Sequence, residues 1–481
     1  MTHTNPLGQP IGAPVPGWTP PPKPGREVLA GRWVRLEPLV AETHGADLWR
    51  AFSANADGSD WTYRMQEPFR SEADLMAWLR EIEAREDMLY FAYVSQETGQ
   101  ALGNGAFMTI APTAGSIEVG SIMFSRAMQR TRMATEAMHL HMRWAFEAGY
   151  RRFEWTCDPL NQASMRAAAR LGLSYEANFR QAYVSKGRNR DKAVFAATDQ
   201  DWPGLKAAFE TWLSPENFEA EAQKIALSAL TSPLLAATAP EFQSARSNAF
   251  GQPIGADVPG WSPPPRPDDA VMEGQYCRLE RLDPCHGPDL FEALSEDRDG
   301  RVFTYMPNGP FHDLEAYLAW LKAEAPCPDP LQFAILVEGR AVGTASFLRI
   351  DPGAGSIEVG YITFSPRLQQ TTAATEAMFL MMQWAFEAGY RRYEWKCNAM
   401  NAPSRRAAER FGFSYEGIFR QAQIVKGQNR DTAWYAAIDS EWPALKAAFQ
   451  TWLAPENFDP NGRQRQSLSQ LTAPIPVAKG Q

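Results

Sequence analysis

AGSIEVGSIMFSRAMQRTRMATEAM (residues 114–138) and AGSIEVGYITFSPRLQQTTAATEAM (residues 354–378) are one passage written twice, 240 residues apart. In each, Ser-Ile-Glu-Val-Gly-x-Ile-x-Phe reads as a strand, with apolar and small or polar side chains taking turns along it. A short polar loop follows, and Ala-Thr-Glu-Ala-Met then opens a strongly apolar helix. WAFEAGYRRFEW (from Trp144) and WAFEAGYRRYEW (from Trp384) continue both copies. Gly149 stops the first helix as its left-handed cap, and a second strand begins at once. A strand, a helix and a strand in this succession predict parallel pairing across a crossover helix, hence an α/β domain.

The duplication extends outward in both directions. GQPIGAPVPGWTPPPKP at Gly8 returns as GQPIGADVPGWSPPPRP at Gly251, and SPENFE at Ser214 returns as APENFD at Ala454, so the offset drifts from 243 to 240. A period this long exceeds that of a solenoid repeat, and each copy is one domain with its own leader. The sequence divides into a Pro-rich arm (1–29), copy 1 (30–218), a linker (219–250), the Pro-rich arm of copy 2 (251–274), copy 2 (275–458) and a tail (459–481). The Pro runs predict extended arms, with Trp18 and Trp261 as surface anchors.

Bulk properties narrow the function. The chain has 481 residues, 44% apolar and 21% charged, the balance of folded domains. Its net charge of −9 is spread out, without the basic stripe that nucleic acid requires. No stretch is apolar for long enough to span a membrane, and MTHTNPLGQP lacks the layout of a signal peptide. Five cysteines, an odd number without metal-ligand spacing, argue for free thiols in a cytoplasmic setting and for no metal. Cys157 and Cys397 read as small strand residues. His139 and His141 lie two apart on a helix and share no face.

In copy 1, alternation and turn chemistry predict the order β α α β β β α β α β β. A hairpin turns at Gly187-Arg188-Asn189. The charged Lys186–Asp191 turn and its copy at Lys426 either line an acceptor entrance or are solvated hairpins, the second reading being preferred, and Tyr63, Tyr305, Phe69 and Phe311 read as core aromatics.

SIEVGxIxFSxxxQ leading into ATEAM, then a strand ending at N-x-x-S, all in duplicate, resembles the GNAT acetyltransferases, and within them the branch of ribosomal-protein N-terminal acetyltransferases. The resemblance covers roughly residues 30–213 and 275–453. It implies two tandem GNAT-type domains, each a mixed, mostly antiparallel sheet with splayed central strands flanked by helices. It also implies acetyl-CoA as cosubstrate, its pantetheine arm in the gap between the splayed strands and its pyrophosphate at the following helix start. Helix N-termini suit phosphates through unpaired N–H groups and the helix dipole. The cofactor-binding residues implied are Phe124, Ser125, Gln129, Arg130, Thr131, Arg132, Met133, Ala134 and Asn161. Their copy 2 equivalents are Phe364, Ser365, Gln369, Gln370, Thr371, Thr372, Ala373, Ala374 and Asn401. The loop Gly of the family pattern is replaced by Arg132 and Thr372. Arg130 and Arg132 either meet a diphosphate or reach sideways into water.

Acetyl transfer to an amine needs a base for the ammonium proton and an acid for the leaving thiolate. The resemblance gives the base to Glu118 and Glu358, with Glu154 and Glu394 in reserve, and the acid to Ser164 and Ser404. The Tyr that many of these enzymes use is absent, since Ala168 and Ala408 stand there. Asn161 and Ser164, like Asn401 and Ser404, read equally as the capped start of a helix. The function implied is direct acetyl transfer to a primary amine, a small molecule or a protein N-terminus. The alternative is a non-catalytic acyl-CoA-binding module or pseudoenzyme in one or both copies.

Overall fold

The computed structural model describes residues 3–54, 57–219, 222–268 and 271–480. Residues 1 and 2 of the first arm, 220 and 221 of the linker, 269 and 270 of the second arm and 481 of the tail lie outside the described residues.

Copy 1 runs β1 (Val34–Pro38), α1 (Ala41–Ser53), α2 (Glu72–Glu83), β2 (Leu89–Ser95), β3 (Ala101–Ala111), β4 (Ser116–Phe124), α3 (Arg132–Glu147), β5 (Arg152–Cys157), α4 (Gln162–Arg170), β6 (Ser174–Ser185) and β7 (Arg188–Thr198). This is the order read from the sequence. A further helix, α5 (Trp202–Leu213), follows, burying Trp202, Leu205, Phe209 and Trp212 at helical spacing. Copy 2 repeats the plan as β8 (Arg278–Arg281), α6 (Gly287–Leu294), α7 (Leu314–Glu324), β9 (Leu331–Val337), β10 (Arg340–Asp351), β11 (Ser356–Phe364), α8 (Thr372–Glu387), β12 (Arg392–Asn398), α9 (Ala402–Arg410), β13 (Ser414–Val425), β14 (Gln428–Ile438) and α10 (Trp442–Leu453).

The predicted parallel pair is present and short. β4 pairs with β5 only from Ser116–Arg152 to Val119–Trp155, and β11 with β12 only from Ser356–Arg392 to Val359–Trp395. Beyond Val119 and Val359 the strands part, leaving the backbone of residues 120–124 and 360–364 facing a gap. Ser121 (φ 50°) and Tyr361 (φ 48°) mark a bulge at that point, where the register with β3 and β10 slips. The repeated ATEAM carboxylate has a structural duty. Glu136 accepts from the N–H groups of Arg32, Trp33 and Val34 at 2.7–3.0 Å and so pins the start of β1. Glu376 does the same for residues 275–277.

The two sheets are continuous. β6 meets β13 through the bridge Ala177–Gly417, which joins sixteen strands into one sheet. A Cβ on Gly417 would lie 1.9 Å from the Glu176 carbonyl oxygen, so only glycine permits this approach. Phe179 and Phe419 stack at 5.5 Å across the join, beside Trp434. Two ion networks flank these rings. Arg152 bonds Glu154 (2.8 Å) and Glu176 (2.7 Å), and Arg420 from copy 2 reaches Glu176 (2.9 Å) and Asp201 (3.0 Å). The mirror set is Arg392 with Glu394 (2.7 Å) and Glu416 (2.5 Å), and Arg180 with Glu416 (3.4 Å) and Glu441 (2.5 Å).

The arms cross over. Residues 5–15 lie on copy 2: Tyr305 donates to the Pro10 carbonyl (2.8 Å), Val15 N–H to Gly427 (2.9 Å) and Asn429 N–H to Ala13 (2.8 Å). Residues 248–258 lie on copy 1, with Tyr63 donating to Pro253 (2.9 Å), Val258 N–H to Gly187 (2.9 Å) and Asn189 N–H to Ala256 (2.8 Å). Two expectations are corrected here. The hairpin turns at Gly187 and Gly427 are docking edges for the other copy's arm rather than solvated loops. Tyr63 and Tyr305 hold those arms rather than filling a core, whereas Phe69 and Phe311 pack edge-on against Trp61 (5.1 Å) and Phe303 (5.8 Å). The segment read as a linker packs on its own copy: Leu227 is fully buried and Thr231 donates to the Arg170 carbonyl (2.9 Å).

Candidate functional site

A cleft of about 1260 Å³ opens in copy 2 where β11 and β12 part. It brings together most of the copy 2 residues singled out from the sequence: Glu358, Phe364, Gln369, Gln370, Thr371, Thr372, Ala374, Asn401 and Ser404 all line it. Three features of its wall come from copy 1, namely Gln9 of the crossed arm and Thr113 and Ala114. The side chains of Ser365 and Ala373 are buried outside this wall, so only their backbone could face a ligand. Ser365 closes the turn after β11, its N–H donating to Val342 (3.2 Å) and its carbonyl accepting from Leu368 (2.9 Å) and Gln369 (3.0 Å). Ser125 is buried in the equivalent turn, and Met133 belongs to the core of copy 1.

The loop before the helix is built alike in both copies. Thr131 and Thr371 cap α3 and α8: each hydroxyl donates to the carbonyl three residues back (2.7 Å) and accepts from Ala134 N–H (3.3 Å) or Ala374 N–H (3.1 Å). Gln129 and Gln369 tie back to the ends of β4 and β11, bonding the carbonyls of Phe124 (3.0 Å) and Phe364 (2.8 Å). Arg132 and Thr372 are the first helical residues, and the left-handed positions fall instead at Arg130 (φ 61°) and Gln370 (φ 62°). The missing glycine therefore imposes no backbone strain. In the first helical turn of α8, Thr372 and Ala373 have no intrahelical acceptor for their N–H groups, the arrangement that receives a phosphate. Arg132 lies over the rings of Phe218 (4.4 Å) and Trp33 (5.5 Å), at the position where Phe458 lines the copy 2 cleft.

Asn161 and Asn401 cap α4 and α9, accepting from the Ser164 and Ser404 N–H groups at 3.2 Å. The serine hydroxyls accept from Trp155 and Trp395 Nε1 at 3.1 Å. An indole can only donate, so each hydroxyl keeps its own proton for donation. The capping role and a site role coexist.

The two glutamates differ in surroundings. Glu118 is buried between hydroxyls, accepting from Thr109 (2.8 Å) and Thr156 (2.6 Å). Burial first, and the neighbouring Glu154 second, push its carboxyl above the ordinary value. Glu358 sits at the same place but is ion-paired with Arg349 Nε (2.6 Å), with Lys396 Nζ at 3.8 Å. Burial would raise the Glu394 carboxyl, yet Arg349 and then Arg392 outweigh it and hold the group down at about 2. Arg349 replaces Thr109, and Lys396 replaces Thr156, at the repeat positions. Glu154 is likewise committed, to Arg152.

Sequence reasoning missed Arg349 and Lys396 in copy 2, and Tyr183 and Lys192 in copy 1, whereas Arg430 belongs to the charged hairpin at Lys426. Lys192 Nζ lies over the rings of Phe179 (5.1 Å) and Tyr183 (5.6 Å), and Tyr183 is the counterpart of Gln423, which lines the cleft. A position-by-position comparison of the copies carries the signal, since charge appears or vanishes there within closely repeated segments. His139 and His141 are core residues. The former stacks on Phe209 (5.0 Å), and the latter bonds the Tyr93 hydroxyl (3.1 Å). Among the described residues, no cluster of three His, Cys, Asp or Glu could hold a metal, and no helix is long and apolar enough to cross a membrane.

The pattern of the acetyltransferase (GNAT) domain matches residues 34–174 and again 277–414. An uncharacterized N-acetyltransferase, YnaD, of Bacillus subtilis is 27% identical over 146 residues, 30% of this chain and 84% of that protein. The ribosomal-protein-serine acetyltransferase of Escherichia coli is 31% identical over 106 residues, 22% of this chain; the match spans 59% of that relative's length. A crystal structure of a GCN5-related N-acetyltransferase from Brucella melitensis is 48% identical, covering 44% of this chain and 99% of that one, with a TM-score of 0.44.

Proposed function

The chain belongs to the GNAT acetyltransferase family through both of its copies, and on that premise we propose that it moves an acetyl group from acetyl-CoA to a primary amine by direct attack, with Glu118 as the base of copy 1. The observation that carries this reading is the setting of Glu118, a desolvated carboxyl of raised pKa held by two hydroxyls beside the point where β4 and β5 part. A carboxylate tuned upward takes a proton at neutral pH more readily than one locked to a cation. The N–H groups of Arg132 and Met133 at the start of α3, and of Thr372 and Ala373 at the start of α8, would hold the diphosphate. Bound acetyl-CoA supplies the activated thioester; Glu118 removes the ammonium proton of the acceptor, and Ser164 gives its hydroxyl proton to the departing sulfur. Five free cysteines support a reducing, cytoplasmic setting.

A second reading applies to copy 2 alone, in which it binds acyl-CoA without turnover. The ion pair of Glu358 with Arg349 favours it, because the carboxylate is already bonded to a guanidinium at 2.6 Å and is not free to face an acceptor. Glu118→Gln in the full chain tests the first reading, with turnover measured on a pooled amine library by mass spectrometry. General-base loss lowers the rate by about 10²–10⁴-fold, while the acetyl-CoA affinity stays unchanged. Unchanged turnover, with chemistry shown to limit the rate, removes Glu118 from the mechanism.

A further inference from the structure

The copies share a cofactor loop but not the charge of their inner clefts. In copy 1 the guanidinium of Arg190 lies 3.9 Å from the Asp158 carboxylate. Copy 2 keeps the arginine, as Arg430, and replaces the aspartate by Asn398. Arg430 retains one bond, from Nη1 to Gln423 (3.2 Å), and its Nε is buried with no partner. Among the described residues no carboxylate lies within ion-pairing distance of it. Lys396 stands where copy 1 has Thr156, its ammonium 5.3 Å over the Trp434 ring and 3.8 Å from Glu358. Glu358 is already engaged by Arg349, so its charge is largely spent. Arg301 joins the same wall where copy 1 has Ser59. Copy 2 thus presents cations around open volume, and burial lowers the pKa of both Lys396 and Arg430, the sign of charges short of compensation.

Lys396 lies beside Glu358, where the parallel pair ends, whereas the proposed diphosphate cradle follows the far end of β11. Phe364 is six positions along the strand from Glu358, roughly 20 Å of extended chain, and the α8 start follows it in the sequence. We propose that the inner end of the copy 2 cleft binds a small amine bearing a phosphate or carboxylate, with Arg430 and Lys396 holding the anion, whereas copy 1, where Asp158 faces Arg190, takes an acceptor without one. The two copies then serve different acceptors. This rests on reading the inner cleft as the acceptor end, but anion binding is measured without acetyl-CoA and succeeds or fails separately from acetyl transfer.

The test is calorimetry of the full chain with phosphoethanolamine, β-alanine and ethanolamine, alone and with saturating CoA. One site per chain should prefer an anionic amine over ethanolamine by about tenfold or more, as charge-assisted hydrogen bonds provide. The stronger of phosphoethanolamine and β-alanine identifies the anion. Lys396→Met and Arg430→Gln should each erase most of that preference, Arg190→Gln should leave it, and CoA should not displace the ligand. Equal binding of all three amines overturns the proposal, as does a preference that survives both copy 2 substitutions. Displacement by CoA also overturns it, by placing the anion at the diphosphate end. Circular dichroism confirms that each variant is folded.

Discussion

Replacing His139 by Phe and His141 by Met, the residues at the same places in copy 2 (Phe379 and Met381), removes two buried imidazoles from α3. Burial lowers the His141 pKa to about 3. Burial, then the charges of Arg143 and Lys206, lowers that of His139 to about 4. Both folded-state values lie below the unfolded value of about 6.5, so the unfolded chain binds protons that the folded chain refuses. Stability is therefore present in full above pH 6.5 and is lost as pH falls toward the folded values. Between pH 7 and pH 5 each ring costs about 2 kcal/mol, and the pair about 4 kcal/mol, from 1.36 kcal/mol per pKa unit. Other groups add their own pH dependence, so the quantity to measure is the difference between two proteins. Urea unfolding of the wild type and the double variant at both pH values gives it. The wild type should lose about 4 kcal/mol more than the variant on acidification. Losing the Tyr93 hydrogen bond shifts the variant's absolute stability but cancels in the pH difference. Identical pH dependence of the two proteins would refute the reasoning.

Arg349→Thr, which gives copy 2 the residue of copy 1, should restore amine turnover to a chain whose copy 1 is silenced by Glu118→Gln; an unchanged rate in the amine-pool assay would show that the ion pair is not what limits copy 2. Gly12→Val should free the first arm, since a Cβ there would lie 1.7 Å from the Asn429 carbonyl oxygen; limited proteolysis should then cut within residues 3–15 without melting either domain. Glu416→Gln removes the carboxylate that Arg392 and Arg180 share, leaving each one remaining partner (Glu394 and Glu441), and should destabilise the chain by about 3 kcal/mol, the low end for a broken buried pair, read from urea unfolding.

The sequence by itself determined everything that depends on neighbours along the chain. Alternation in SIEVGxIxF, the cap at Thr131 and the stop at Gly149 are local matters of side-chain period and backbone freedom, and they repeat in both copies. They suffice for the strands, the helices, the duplication and most residues that meet in the copy 2 cleft. α5 is equally legible from its spacing. What only the tertiary structure decided depends on residues more than two hundred positions apart. Nothing local marks Gly417 as the point where two sheets become one, or Gly12 as the residue that lets an arm lie against the other copy. Those glycines matter through a close approach that exists only after both copies have folded. The same holds for Glu118 and Glu358. Their motif is identical, but Thr109 and Thr156 in one copy and Arg349 and Lys396 in the other come from neighbouring strands. What a carboxyl can do is set by the side chains around it, so one sequence motif holds two differently engaged glutamates, one between hydroxyls and one in an ion pair.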